Sequence, residues 1–398
     1  MKLLVIFFAV VGLLVAWPTP STDSKLDTQM NDALFKLSLH ALKTKANEPT
    51  IVSPFSVAMA LATVNLGAKE KTSQEITDIA FGGISKDQVT FWFKTKLAQL
   101  KSEYSPLSIA SAIYVEKTMK VVEKYLKDVK DNLKSNVESV DFKSNPQAQR
   151  TLINNFVNES TAGHIPELLK ADHVNDATRI VVVNALYMKS AFGARFGDLP
   201  ASRTKKLAFN NEDKSTKQLD TMNGTHDGRF FENDEFVYGD LPFKEDNFKF
   251  FLIVPKSHPL AAIKDKFIAA NHKFSVSHTG AKNYMYLHVT MPKFKVSTDL
   301  EFKDILQGLG INEIFDHAGA NLRGISAEQL FVEYIVHKAV VEVDENGVTA
   351  AAATAVGISL QSARMCIANC RHKTIDANKP FMYGIAHRGT PIFVGHYY

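Results

Sequence analysis

Two strand-like stretches near the end of the chain, Phe331–Val343 and Phe381–Tyr397, are separated by a segment that neither closes a tight turn nor carries an apolar face. Glu345-Asn-Gly347 is followed by Val348-Thr-Ala-Ala-Ala-Ala-Thr-Ala-Val356, then by Gly357-Ile-Ser-Leu-Gln-Ser-Ala-Arg-Met-Cys366, and regularity resumes only near Ile375. Connections longer than about 12–15 residues are uncommon unless functional or disordered, and this one runs to roughly 30. Alanine is the best helix former, but a helix over Ala350–Ala353 would have no large apolar side chain with which to pack. A period of two sorts the segment cleanly. Val348, Ala350, Ala352, Thr354 and Val356 fall on one side, and Thr349, Ala351, Ala353 and Ala355 on the other. Every residue is small or β-branched and none is charged, so the stretch suits both an exposed loop and the middle of a sheet. A segment with two compatible environments can serve as a switch.

The remainder reads as one large domain. The chain has 398 residues, 45% hydrophobic and 22% charged, without an internal linker, repeat or charge block, so length alone does not divide it. A net charge of +4 from 46 basic and 42 acidic residues is too mixed to argue for nucleic acid. Lys2 precedes the apolar run Leu3–Ala16 and the turn-rich Trp17-Pro-Thr-Pro20, the pattern of a signal peptide over residues 1–16. The run is short for a bilayer span, which needs about 20 apolar residues, so secretion is expected, with no membrane association. Asn158-Glu-Ser160 and Asn223-Gly-Thr225 are glycosylation triplets. With two cysteines, Cys366 and Cys370, no disulfide framework holds the fold.

Periodicity predicts helices over Leu26–Thr44, over Phe55–Gly67 (apolar nearly all round and therefore buried), after Thr72 as an N-cap, over Asn145–Leu169 and over Phe302–Leu309. It predicts strands at Leu107–Val115, Arg179–Met188, several within Phe230–Pro255, Tyr286–Val296, Phe331–Val343 and Phe381–Tyr397, the last with turns at Gly384, Gly389 and Pro391. Helices dominate the first half and strands the second, an α+β pattern. Lys117–Lys134 is lysine-rich, but interleaved acids make it a solvated helix face.

With these elements in place the chain resembles a serpin. Glu345-Asn-Gly347 followed by Thr349-Ala-Ala-Ala-Ala-Thr354 resembles the hinge of inhibitory members, and Ser53-Pro-Phe-Ser56 to Leu66-Gly-Ala68 the early buried helix. Ile153-Asn154, Val157, Thr161 and Gly163 match a second helix, and Val183-Asn184-Ala185 a central strand. Leu241-Pro242, Met291-Pro-Lys-Phe294, Leu309-Gly-Ile311, Gly324-Ile325, His337-Lys-Ala339, Lys379-Pro-Phe381 and Phe393-Val-Gly395 follow in order. Matches extend from about residue 24 to the last residue, so the chain is identified as a secreted, invertebrate-like member with its serpin domain over 24–398 and a reactive-centre loop over about 345–374. Phe156 and Phe192 stand where the family usually has Trp, Ser190 where Gly is common, and Val348 where the first inserting residue is usually Thr. The aromatic swaps are expected to affect packing only.

The resemblance implies a single-domain α+β fold of three β-sheets and about nine helices with an exposed reactive-centre loop. It also implies a suicide-substrate mechanism in which the cleaved loop inserts into the main sheet and traps the acyl-enzyme. No catalytic residue, cofactor or metal is expected. The absence of Gly-x-Ser-x-Gly, His-Glu-x-x-His, Gly-x-Gly-x-x-Gly and Cys-x-x-Cys agrees with a protein that is not an enzyme. The partner is a serine protease, chymotrypsin- or elastase-like before trypsin-like, met by a monomer. By resemblance the hinge comprises Glu345, Gly347, Val348, Thr349, Ala350, Ala351, Ala352, Ala353 and Thr354. Ser53, Ser56, Asn184 and His337 form the shutter where the sheet parts. Counting on from Gly347 by the family's usual inserted length places the bait bond at Gln361–Ser362. Counting back from Phe381 places it near Asn369, and Leu360, Arg364 and Met365 are alternatives. Cys366 and Cys370 either pair, restricting the loop by roughly 2 kcal/mol, or remain thiols. The competing reading is a non-inhibitory serpin acting as carrier, chaperone or protease substrate; the small, uncharged hinge favours inhibition.

Overall fold

The computed structural model describes residues 24–100, 107–188, 190, 192, 201–244, 247–269, 281–345, 347–348 and 372–398. The leader, hinge positions Thr349–Thr354, the bait candidates Leu360, Gln361, Ser362, Arg364, Met365 and Asn369, and both cysteines lie outside them. The described chain forms eight α-helices: α1 Ser24–Lys43, α2 Pro54–Gly67, α3 Glu70–Glu75, α4 Lys86–Leu100, α5 Glu123–Leu133, α6 Pro146–Ser160, α7 Leu260–Ala269 and α8 Lys303–Leu309. Its fifteen strands begin with β1 Thr50–Val52, β2 Leu107–Glu116, β3 Asn136–Val140, β4 Ile180–Met188, β5 Lys205–Asn210, β6 Thr216–Glu232, β7 Phe236–Pro242 and β8 Phe248–Pro255. They continue with β9 Lys282–Pro292, β10 Phe294–Glu301, β11 Tyr334–Asp344, β12 Gly347–Val348, β13 His372–Asp376, β14 Phe381–His387 and β15 Thr390–Tyr397.

The all-apolar helix α2 is buried at every position but Leu66 and packs against β4 and β15. Its start is set by Ser53, whose hydroxyl accepts the Ser56 N–H, and by Pro54 in the first turn. Behind it a six-stranded sheet runs β10-β11-β4-β2-β3, with β12 attached to β11. A nine-stranded sheet runs β1-β15-β14-β8-β7-β6-β9-β13, with β5 on β6. Strand β6 divides the larger sheet. Its first residues pair with β5, its middle with β9, and only Arg229–Glu232 with β7, so two sheets share one long strand and the fold is the expected single-domain α+β arrangement. Among the described residues, no helix is long and apolar enough to cross a membrane.

Some expectations are revised. Thr72 is not an N-cap: it lies inside α3, and its hydroxyl accepts the Asn321 N–H at 2.9 Å, a tertiary bond that outcompetes local capping. Gly384 and Pro391 sit within strands, and of the three expected turns only Gly389 (φ 83°) is one. Gly384 is needed for close approach, since a Cβ there would meet the Phe393 carbonyl at 2.3 Å and the Phe251 ring at 2.4 Å. Helix α6 stops at Ser160, with Ala162 and Gly163 at positive φ. Strand β5 and the polar first half of β6 carry no alternation and were invisible to a periodicity reading. The lysine-rich α5 buries Tyr125, Val129 and Leu133 and pairs Lys124–Asp128 and Lys127–Asp131 on its wet face.

Candidate functional site

Strands β11 and β4 lie side by side and parallel, from Tyr334↔Val181 to Val340↔Tyr187. Every residue of β4 is buried, as the continuous apolar run dictates. Beyond Val340 the chain of β11 takes a different partner: Val343 pairs with Val348 and Asp344 with Gly347, antiparallel. The chain leaving β11 has therefore already turned back on it.

The turn is pinned at Glu345. This carboxylate is buried, ion-paired to Lys293 Nζ at 2.8 Å, and accepts the Thr204 hydroxyl at 2.6 Å. Burial pushes its pKa up, but the bonds from Lys293 and Thr204 outweigh that and hold it below the ordinary carboxylate value. Lys293 is the single residue joining β9 to β10, so the larger sheet grips the turn of the smaller one.

Under the middle of the same strand pair the four residues Ser53, Ser56, Asn184 and His337 are brought together. The Ser53 N–H donates to His337 Nε2 at 3.0 Å, and Asn184 Nδ2 donates to the Ser56 carbonyl at 2.7 Å. His337 and Asn184 are directly paired across the seam. Burial depresses the His337 pKa to about 4, so the ring is neutral and accepts at Nε2. Three buried atoms of this cluster, His337 Nδ1, Asn184 Oδ1 and Ser56 Oγ, have no hydrogen-bond partner among the described residues.

The opposite face of the seam is strapped. The segment after α6 is held by Asn154, whose Oδ1 accepts the N–H groups of Leu168 and Leu169 and whose Nδ2 donates to the Leu169 carbonyl. His164 stacks on Tyr187 of β4 at 3.8 Å, and His173 on Tyr334 of β11 at 5.6 Å, so the strap touches both strands, one at each end.

Of the other expected positions, Phe192 is buried and stacks on Phe243, and Ser190 is buried. Asn158 is half-buried in α6, and Asn223 half-buried within β6 opposite Thr290. Phe156 does more than pack: it borders a cavity. Sequence reasoning assigned no role to Lys293 or Thr204. Lys293 belongs to the Met291–Phe294 motif, but nothing in a single sequence points it at Glu345.

A family model described as Serpin (serine protease inhibitor) matches residues 28–398. The leukocyte elastase inhibitor of Xenopus tropicalis is 32% identical over 357 residues, covering 87% of this chain and 91% of that protein. A serine protease inhibitor of Cyanea capillata is 30% identical over 361 residues, covering 88% and 92%. Among solved structures, Serpin48, a highly specific serpin of the insect Tenebrio molitor, superposes with a TM-score of 0.81 at 27% identity, covering 95% of this chain and 99% of that one.

Proposed function

The chain belongs to the serpin family of serine protease inhibitors, and we propose that it is a secreted suicide-substrate inhibitor whose cleaved loop enters the seam between β11 and β4. The observation that carries this reading is the pairing of Val348 with Val343: the hinge is already the first step of a strand antiparallel to β11. Because β4 is parallel to β11, a strand entering between them is antiparallel to both. Two antiparallel ladders replace one parallel ladder, which is the less stable kind per residue.

The register explains the composition. Residues 335, 337, 339, 341 and 343 alternate along one face of β11 and are all buried. An inserted strand that kept the Val343–Val348 register would bring Val356, Thr354, Ala352 and Ala350 opposite the first four in turn, small or β-branched residues against a packed face. In an inserted strand of this register Thr354 would come opposite His337, beside Asn184, where its hydroxyl can both donate and accept. Thr354→Val is expected to leave the uncleaved protein's stability within about 0.5 kcal/mol and to lower that of the cleaved form by about 1–2 kcal/mol, read by denaturant melts of each.

In the trapping step a protease serine Oγ attacks the carbonyl of Gln361, an ester forms, and the Gln361–Ser362 bond breaks with release of the Ser362 amine. Insertion then competes with attack of water on the ester. The target is of chymotrypsin or elastase type, by analogy with the elastase inhibitor relative; Leu360 would suit that pocket with the cut one residue earlier, at Leu360–Gln361. The shutter role of Ser53, Ser56, Asn184 and His337, glycosylation at Asn158 and Asn223, and a monomeric state belong to the same reading.

The test is incubation with chymotrypsin-, elastase- and trypsin-like enzymes, followed by denaturing gels and intact mass. A complex that survives denaturation, with a released peptide beginning at Ser362, is expected. Clean cleavage by every enzyme, with no complex and no gain in heat stability, would replace this reading with that of a carrier or chaperone.

A further inference from the structure

Helix α7 turns Leu260, Ile263, Lys264 and Phe267 inward, the i, i+3, i+4, i+7 spacing of a packed face, and a lysine stands in the middle of that stripe. Lys264 is 3% exposed. Its Nζ donates to His396 Nδ1 at 2.9 Å and to the Tyr398 hydroxyl at 3.3 Å, one residue near the end of β15 and one just past it. The amine also lies over the Tyr398 ring, 5.4 Å from its centre. His396 is fully buried and pairs with Thr50 of β1 and Met382 of β14, so the site sits inside the rigid end of the larger sheet.

Among the described residues this amine has no carboxylate partner. The acids around it are engaged elsewhere: Asp265, the next residue, pairs with Lys43 of α1 at 2.8 Å, and Glu212 accepts the Leu260 N–H. Burial therefore brings the Lys264 pKa down to about 8; Glu212 and Asp265 oppose that from a distance, and Lys43 adds to it. Burial, and then the Lys264 charge, depress His396 to about 3, so its Nδ1 faces the amine as an unprotonated base. A lysine desolvated in this way is a nucleophile near neutral pH.

We propose that Lys264 is a carbon dioxide site, its neutral amine adding CO2 to form a carbamate with His396 as the proton acceptor. The lone pair of Nζ attacks the carbon of CO2, the N–C bond forms, one C–O π pair moves onto oxygen, and the proton released from nitrogen passes to His396 Nδ1. Nothing else is consumed, and the step reverses when CO2 falls. CO2 suits a buried amine because it is small, uncharged and needs no leaving group. The product suits the charges present. Burial raises the Tyr398 pKa, so the phenol keeps its proton and donates it to a carbamate oxygen. His396, beside an anion instead of an ammonium, holds its new proton more tightly, and Lys43, which disfavours positive charge on Lys264, favours a negative one. None of this depends on the loop or its insertion.

The test equilibrates the full chain with isotope-labelled bicarbonate and CO2 at neutral pH. Carbamate is read by carbon NMR, and by alkyl trapping with triethyloxonium followed by digestion and mass analysis. A short peptide with a free α-amine in the same tube is the positive control. A saturable carbamate signal mapping to Lys264 is expected. Lys264→Arg, which keeps the charge and the donors, should abolish it, and His396→Gln should lower occupancy several-fold at the same CO2 pressure. No mark on Lys264 under CO2 that labels the control peptide overturns the site, as does a signal that survives Lys264→Arg. Should Lys264→Arg not fold, the mass of the unsubstituted fragment carrying Lys264 decides by itself. Occupancy unchanged in His396→Gln overturns the imidazole as proton acceptor.

Discussion

Helix α2 packs against strands of two sheets built to opposite specifications. Around β14 and β15 the strands are antiparallel, every residue but Tyr397 is buried, and glycine lets backbone and ring touch at Gly384. At the β11–β4 seam the strands are parallel, polar side chains sit beneath them, and the covering segment rests on two stacked rings. The difference teaches where one chain keeps its sheet final and where it keeps it open. Each inner strand of the first is held by antiparallel ladders on both sides and by backbone touching ring, whereas the second joins its two strands by one parallel ladder, the less stable kind per residue.

The comparison breaks most visibly at Gly384. Gly384→Ala forces a Cβ into backbone and ring, and a loss of about 3–5 kcal/mol is expected, read as a lower denaturant midpoint with the same slope. A comparable enlargement tolerated there would mean that this sheet is not the rigid one.

Acid sharpens it next. His337 titrates at about 4 in the fold against 6.5 in the unfolded chain, so the unfolded chain binds the proton first. The stability present above pH 6.5 is therefore lost as the pH falls toward about 4, by roughly 3 kcal/mol. His387, also depressed to about 4 by burial and then by Arg388 and Lys96, adds a loss of the same sign from the other sheet. His337→Gln should remove the seam's share of the slope between pH 6.5 and 4 and leave the rest. An unchanged pH profile would show that the seam histidine is not held neutral.

The smallest effect belongs to the turn. Glu345→Gln keeps the Thr204 bond and loses the charge facing Lys293, whose side chain is 37% exposed. About 1 kcal/mol of native stability should go, with faster hydrogen exchange at Val343 and Asp344 and none elsewhere in β11. Exchange that rises uniformly along the strand would make Glu345 a general support of the sheet rather than the pin of its turn.

Much of this was legible beforehand. The apolar run of α2, the buried strand β4 and the period-two sorting of residues 348–356 follow from side-chain type and spacing, which act between near neighbours. Strand β5 and the start of β6 were not legible, because their polar residues show no period and only pairing makes them strands. Thr72 misled for a related reason, its hydroxyl being claimed by Asn321 across the fold.

The sequence by itself determined that this chain would build a serpin sheet and that its hinge would be small, uncharged and able to enter one. Tertiary structure alone decided that Val348 would turn back onto Val343, that Lys293 would hold Glu345, and that Phe156 would border a cavity at the sheet edge. Those outcomes rest on contacts such as Ser53 with His337, 284 residues apart, where no local preference acts and only the packed geometry chooses the partner.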